Sequence, residues 1–482
     1  MNSIIENAKR QFLTKRSVVG FIKKLVPALV AAAFLLSGWT AAAALAQGTE
    51  YVNLSGSQTL AVGTSTVTLI NTADSTFAGN ITGTGSIIKT GSRTLTLTNT
   101  TISYRGTTTI SEGKLKLDGN NLALYFSSEI INNGVIETNC DQVFRNLSGT
   151  GAINVIGNSV DIDLVNTKDT TYSGSITGPA TLSVQGGKTI TLSGSISDVV
   201  RIEVDNGSQL KLTGSALDYN GTMRVFGGKS VEYEVVSGSK RYNITENNKI
   251  DVRATSDGGA DGGRLIKSGD GTLKICCEAE GLVRADSVFI SSGRMDYQGY
   301  FESALSPRTR SSSGWVNTDI VVVESDAILS PGETIGSMVL THGNVTIKDS
   351  AILLFEFDAY NEDPSQQNFD TLVLNAPEFY FTVESGSIID LAFLNNDATE
   401  WATEGAEYRL VTDQGFANGN YDYLLPEKYR SMFSLQGKNG NGLYLIGLGV
   451  PEPPMPVPEP STWALLILGV VGLICVRKFR KE

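Results

Sequence analysis

A catalytic reading of this chain begins with its carboxylates, because little else in it can move a proton or hold a metal. Asp161 and Asp163 stand two apart in an alternating stretch. Both therefore project from one face of a strand, and paired carboxylates are what acid–base cleavage of a glycoside needs. The same spacing describes a solvated outer face, and in so acidic a chain that is the expectation. Asp257-Gly258-Gly259-Ala260-Asp261-Gly262-Gly263 has the composition of a calcium loop. It lacks the repeated nonapeptide that places successive ligands, so a turn is expected. The one histidine, His342, precedes Gly343 and excludes both a His-based triad and a two-His metal site. Cys475 lies in a terminal apolar run, which leaves Cys140 and the adjacent pair Cys276-Cys277. A bridge from Cys140 to one of that pair is open, and no zinc-type spacing exists. There is no phosphate loop, nucleophile elbow or dinucleotide fingerprint. No catalytic residue, metal or cofactor is expected.

The elements that would carry such groups read as strands. Thr94–Thr98, Thr189–Leu192 and Gln209–Leu212 alternate with period two, the signature of a half-buried strand. Gly79-Asn80, Asn132-Asn133-Gly134, Gly186-Gly187 and Asp205-Asn206-Gly207 punctuate them as turns. No window before the C-terminal end holds a helical period. The class is all-β.

The chain also repeats itself. Gly85-Ser86-Ile87-Ile88-Lys89-Thr90-Gly91-Ser92-Arg93-Thr94-Leu95-Thr96-Leu97 recurs as Gly263-Arg264-Leu265-Ile266-Lys267-Ser268-Gly269-Asp270-Gly271-Thr272-Leu273-Lys274-Ile275. Ile110-Ser111-Glu112-Gly113-Lys114-Leu115 recurs as Ile290-Ser291-Ser292-Gly293-Arg294-Met295, and Phe77–Gly83 is echoed by Tyr172–Gly178. A strand–turn–strand unit cannot close a core alone, so such units must stack. Stacking predicts a parallel β-solenoid, a right-handed β-helix, with rungs on the order of 20 residues. At ~4.8 Å per rung, residues 47–330 make a rod roughly 60–70 Å long. The repeats, with Tyr104–Leu115 as second half, resemble the passenger-associated repeats of autotransporter-type bacterial proteins. No β-barrel translocator follows them.

After Ser306 the pattern changes. Pro307–Gly314 is basic and Ser-rich, an expected exposed loop, and Ala327–Gly336 resembles the Ser-Pro-Gly element that closes passenger rods. Aromatic-rich strands are expected at Leu353–Asp358, Phe369–Leu374 and Phe379–Val383, then at Tyr408–Thr412 and Leu443–Ile446. Residues 315–450 are read as final rungs with a β cap, because an open solenoid end exposes unpaired backbone. Residues 47–314 are the repeats proper. Threonines at Thr64, Thr66, Thr68, Thr94, Thr96, Thr98 and Thr107–Thr109 raise an ice-binding face as a minor alternative.

Both ends carry addresses. Lys9, Arg10, Lys15, Arg16, Lys23 and Lys24 precede the apolar run Leu25–Leu36, and Ala44-Leu45-Ala46 is a small-x-small cleavage site. Residues 1–46 thus read as a signal peptide, cut by signal peptidase. At the other end, residues 451–482 join a proline-rich spacer, an apolar run and a basic stop, Arg477-Lys478-Phe479-Arg480-Lys481. Prolines keep Pro451–Pro460 extended. Residues 463–476 form a single short transmembrane helix, roughly 21 Å long. Val457-Pro458-Glu459-Pro460-Ser461-Thr462-Trp463, with the apolar stretch and Arg477, Lys478 and Arg480 behind it, resembles the PEP-CTERM sorting signal of Gram-negative bacteria. That resemblance implies transient processing by an exosortase near the Pro-Glu-Pro element, and passage through an inner-membrane intermediate to the cell surface or extracellular matrix.

Between the two addresses lie 28 basic and 46 acidic residues, a net charge of −18. Such a field repels nucleic acid and anionic lipid. The reading is an exported, non-catalytic structural or adhesive solenoid, with surface polysaccharide as a candidate partner. The competing class is a polysaccharide-active β-helix enzyme.

Overall fold

The period-two strings become strands that pair in parallel, each lying on a strand one turn earlier. Val67, Ile87, Thr108 and Ile130 lie one above the next, steps of 20 to 22 residues. On a second face Thr94, Lys114, Val135 and Ala152 do the same, and on a third Ile162, Leu182, Ile202 and Met223. The computed structural model describes residues 49–450, apart from 99–101, 120–121, 206, 227–229, 246–248, 254–262, 278–282, 286, 303–309, 312–313, 316–318, 333–334, 341–343, 359–367, 375–380, 395–397, 414–424 and 439–440. Within these the chain is all-β and mostly parallel, the coiled arrangement of a β-solenoid, with only three short 3-10 turns.

Alternation decides what is inside. In Val160–Val165 and Ala180–Gln185 every second residue is buried, so Val160, Ile162 and Leu164 stack on Ala180, Leu182 and Val184. Each fully buried Leu or Ile contributes about 1.5–3 kcal/mol. Strands buried on one face only must alternate in this way, because a one-residue slip would turn the whole column to solvent.

The turns do not keep one length. Ser230 lies against Arg264, Val288 against Val321 and Ile352 against Ile388, steps of 34, 33 and 36 residues. Across these longer turns the ladder resumes in register. At the segment expected as an exposed loop, Pro307–Gly314, Arg310–Ser311 pairs antiparallel with Gly314–Trp315.

Two buried lysines explain why the repeat repeats. Lys89 stacks between Leu69 and Ile110 on the inward side, and Lys267 between Tyr233 and Ile290. They are 0 % and 1 % exposed, where a lone ammonium would be prohibitively costly. Lys89 Nζ instead shares its three N–H donors among the carbonyls of Thr90, Gly91, Arg93 and Glu112 at 2.6–3.2 Å. Lys267 Nζ donates to those of Ser268, Gly269 and Ser292 at 2.6–3.0 Å. Each lysine thus ties its own turn to the next. Burial pulls both ammonium groups down to a pKa of about 8. Gly113 and Gly293 stand one turn on, where a Cβ would come within 2.7 and 2.9 Å of the two Nζ atoms. Both have positive φ, 66° and 67°, which glycine adopts freely. The Lys-x-Gly and Ser-x-Gly elements of the repeat are the two halves of one clamp.

Glycine also lets successive turns touch. A Cβ on Gly151 would lie 2.0 Å from the Gly134 carbonyl, one on Gly174 1.7 Å from that of Gly151, and one on Gly194 2.1 Å from that of Gly174. The Tyr172 ring folds over Gly174 and its hydroxyl donates to the Gly151 carbonyl at 2.6 Å. Phe77 folds over Gly79 in the same way, so the echo between Phe77–Gly83 and Tyr172–Gly178 is an aromatic ring covering a glycine corner.

Parallel stacking continues to Glu407–Asp413, which lies on Thr371–Leu374. Only then does it reverse. Gly442–Gly447 pairs antiparallel with Glu407–Asp413 on one side and with Phe433–Lys438 on the other. Beneath them Phe357 stacks on Phe369 and Phe393 at 5.5 and 5.1 Å and meets Trp401 edge-on at 5.1 Å, while Phe393 continues to Phe433 at 5.9 Å. Rings of this size fill the end of the coil where aliphatic layers run out.

Candidate functional site

The structure places Asp161 and Asp163 on one outward face of Val160–Val165, Asp161 exposed and Asp163 half-buried. Asp161 donates its backbone N–H to Asp141 Oδ1 at 2.9 Å. Burial first, and the neighbouring Asp161 carboxylate second, raise the Asp163 pKa. The register then carries this position through Ser183, Glu203, Arg224, Asp251 and Arg284. Asp163 is therefore one step of a mixed-charge outer ladder, where cross-strand opposite charges are mildly stabilising.

A second set of carboxylates has no counterpart in the sequence reading. Asp296, Glu356 and Asp370 come from different turns and are 0 %, 6 % and 0 % exposed. Alternation puts Asp296 opposite Lys274 on one side and Ser330 on the other. Arg294 bridges Asp296 through Nε, and donates from Nη2 to Glu356 Oε1 at 2.7 Å. Lys274 Nζ stands 3.7 Å from Asp296 Oδ2. Asp370 accepts from the backbone N–H of Gly336 at 2.9 Å and of Glu356 at 3.0 Å, one on each oxygen. Burial, reinforced by Glu356 and Asp296 but opposed by these two bonds, pushes Asp370 up to a pKa of about 8. A Cβ on Gly332 would lie 2.1 Å from Asp370 Oδ1, so the Ser330-Pro331-Gly332 turn is seated directly on this carboxyl. The three carboxylates are buried, Arg294 pairs with two of them, and Asp296 Oδ2 has no hydrogen-bond partner among the described residues; Asp370 pins the turn that sits on it.

Asp370 sets a pH dependence with a definite sign. Folded, it holds its proton to about pH 8; unfolded, it releases it near the ordinary carboxyl value of ~4. Its stabilising contribution is full below pH ~4 and is lost as pH rises from ~4 through 8. Asp370→Asn is expected to remove that slope. Its amide NH2 cannot accept the second backbone N–H, a penalty of about 1–3 kcal/mol, so the variant is expected to fall furthest below wild type at low pH and to close the gap as pH rises. Denaturation midpoints from pH 5 to 8 check both effects; an unchanged slope refutes the assignment.

Cys140, Cys276 and Cys277 are all free. Cys140 precedes Gln142–Arg145, whereas the pair ends the strand Thr272–Cys277, several stacked strands further along the coil. At ~4.8 Å per layer that separation exceeds the reach of a disulfide, so the bridge from Cys140 is excluded. The threonines form no unbroken face there. Thr76 and Thr96 are followed by Lys116 and Glu137, Thr68 by Ile88, and Thr108 is buried beside Tyr104 and Ser127. His342, Asp257 and Asp261 lie outside the described residues.

So do the addresses: Ala44 and Ala46 at one end, and Val457, Pro458, Glu459, Pro460, Ser461, Thr462, Trp463, Arg477, Lys478 and Arg480 at the other. Among the described residues no helix is long and apolar enough to cross a membrane. The expected span, 463–476, is not among them. No curated protein and no solved structure matches the chain. Residues 456–481 match the PEP-CTERM protein-sorting motif, which implies export, membrane association during processing and sorting by an exosortase system to the cell surface.

Proposed function

We propose that this chain is a non-catalytic structural or adhesive rod of the bacterial cell surface and extracellular matrix. The observation that carries the reading is the conjunction of a sorting motif at 456–481 with a parallel coil, closed by antiparallel strands, ahead of it. In this reading signal peptidase removes residues 1–46, the span 463–476 holds the exported chain at the inner membrane, and exosortase acts near Pro458-Glu459-Pro460. The coil, right-handed and like an autotransporter passenger in its repeats, is the part displayed. Its −18 charge keeps the displayed part soluble. The enclosed Arg294–Asp296–Glu356–Asp370 group favours a structural role over polysaccharide cleavage.

Fractionation with intact mass measurement tests this. Wild-type chain is expected in the surface fraction without its tail. A variant with Pro458, Glu459 and Pro460 replaced by alanine is expected to stay uncut in the membrane fraction. Wild-type chain that keeps its tail and never leaves the inner membrane refutes the sorting, and measurable glycan turnover by the purified rod refutes the non-catalytic role.

A further inference from the structure

At one corner the coil departs from its acidic surface. Thr107 pairs with Glu129 and Ile131 with Ser148, so Arg105, the Tyr125-Phe126 pair and Arg145 fall at the same corner of three successive turns. Tyr125 and Phe126 are 37 % and 42 % exposed, beside Leu122 at 43 %. Their rings meet edge to face, centroids 5.0 Å apart and planes at 87°. The Arg145 guanidinium stands 5.1 Å from the Tyr125 ring centre, and that of Arg105 5.5 Å from the Phe126 ring centre. Arg145 Nε also donates to the Tyr125 carbonyl at 3.0 Å, which fixes its side chain. Among the described residues neither guanidinium has a carboxylate at ion-pairing distance.

Tyr125, Phe126 and Leu122 together still leave more than a third of their surface to water, and such patches mark contact surfaces. Aromatic rings with arginine are the residues that anchor contacts. A guanidinium held against a ring keeps N–H donors along its edge, the geometry that takes a carboxylate two-pronged. The two cations are two turns apart, about 10 Å at the spacing of paired strands, too far for one carboxylate to bridge. The matching ligand carries carboxylates at intervals, with C–H-rich surface between them to lie against the rings. Sugar acids joined in a chain have that form. Repulsion from the rest of the −18 surface is screened beyond about 8 Å at physiological salt, so the local pair decides.

We infer that the Arg105–Tyr125–Phe126–Arg145 corner is a binding site for an acidic, uronate-bearing polysaccharide. The site rests on the reading of the chain as a surface adhesive and names what it adheres to. The exported chain, residues 47–450, is tested for binding polygalacturonate, with neutral dextran and polyglutamate as comparators, alongside R105Q/R145Q and Y125S/F126S. Polygalacturonate is expected to bind and dextran not. Each double variant is expected to weaken binding at least about tenfold, since two charge-assisted contacts or two ring contacts are lost. Circular dichroism of the variants should match wild type, because these side chains project outward. Wild type that ignores polygalacturonate, binds polyglutamate as tightly, or is unaffected by R105Q/R145Q overturns the site. Chain found at the surface that fails this assay loses only the site. Chain that never reaches the surface in fractionation removes the adhesive reading itself.

Discussion

Gly174→Ala is expected to be the most damaging single methyl group that can be added to this rod. The new Cβ would sit 1.7 Å from the Gly151 carbonyl and 2.6 Å from the Tyr172 ring. Neither can yield cheaply. The carbonyl belongs to the turn below and already accepts the Tyr172 hydroxyl, and that hydroxyl receives Asn132 Nδ2 at 3.0 Å. Relief requires the two turns to part, and the loss should reach about 3 kcal/mol or more. Contacts in a stacked coil run only between neighbours, so the damage should be local. Limited proteolysis is expected to cut the variant near this corner while distant turns stay protected. Gly238→Ala is the comparator: its φ is 69° and nothing lies within 4 Å of the added Cβ, so it should cost about 1 kcal/mol from backbone strain alone. Equal effects at both positions would mean that close approach is not what glycine supplies here.

Lys89→Met should be nearly as severe, although it replaces a charge in the core by an apolar chain of similar length. Burying a charge is unfavourable, and removing one often helps when its partner goes too. Here the partners are main-chain carbonyls and cannot be removed. Without Nζ the carbonyls of Gly91 and Glu112 lose a 2.7 Å and a 3.0 Å bond. Each unmet carbonyl costs about 1–3 kcal/mol, so a loss of about 2–6 kcal/mol is expected in denaturant titration. Lys267→Met should do the same to the Gly269 and Ser292 carbonyls. The two sites are many turns apart, so their effects should add. A variant as stable as wild type would show that the ammonium is tolerated rather than needed.

How far these features were legible follows from where their physics sits in the chain. Thr94–Leu97, Thr189–Leu192 and Gln209–Thr213 are strands because alternation is local, and local signals survive in a single sequence. Stacking was legible because Gly85–Leu97 and Gly263–Ile275 repeat. The lysine clamp stands in both copies of the repeat, yet Ile87-Ile88-Lys89 offers two isoleucines in a row and hides which residue faces inward. Counting from Ile87 puts Lys89 inside, and that is the signal that was missed. The Asp296–Glu356–Asp370 group was not legible at all. Its members are brought together by turns of unequal length, and no spacing rule links residues across excursions of unknown size. The Tyr125-Phe126 corner was hidden for a different reason: an exposed aromatic pair reads as one more buried strand until neighbouring turns are placed.

The double flanking of Gly442–Gly447 has a mechanical consequence. In the proposed topology, with 463–476 holding the chain at a membrane, drag on the coil enters through Val450, the last residue before the spacer, and so through that strand. An edge strand would peel away by surrendering one ladder; this one must surrender two together. In that topology the tether pulls on a strand with no free edge.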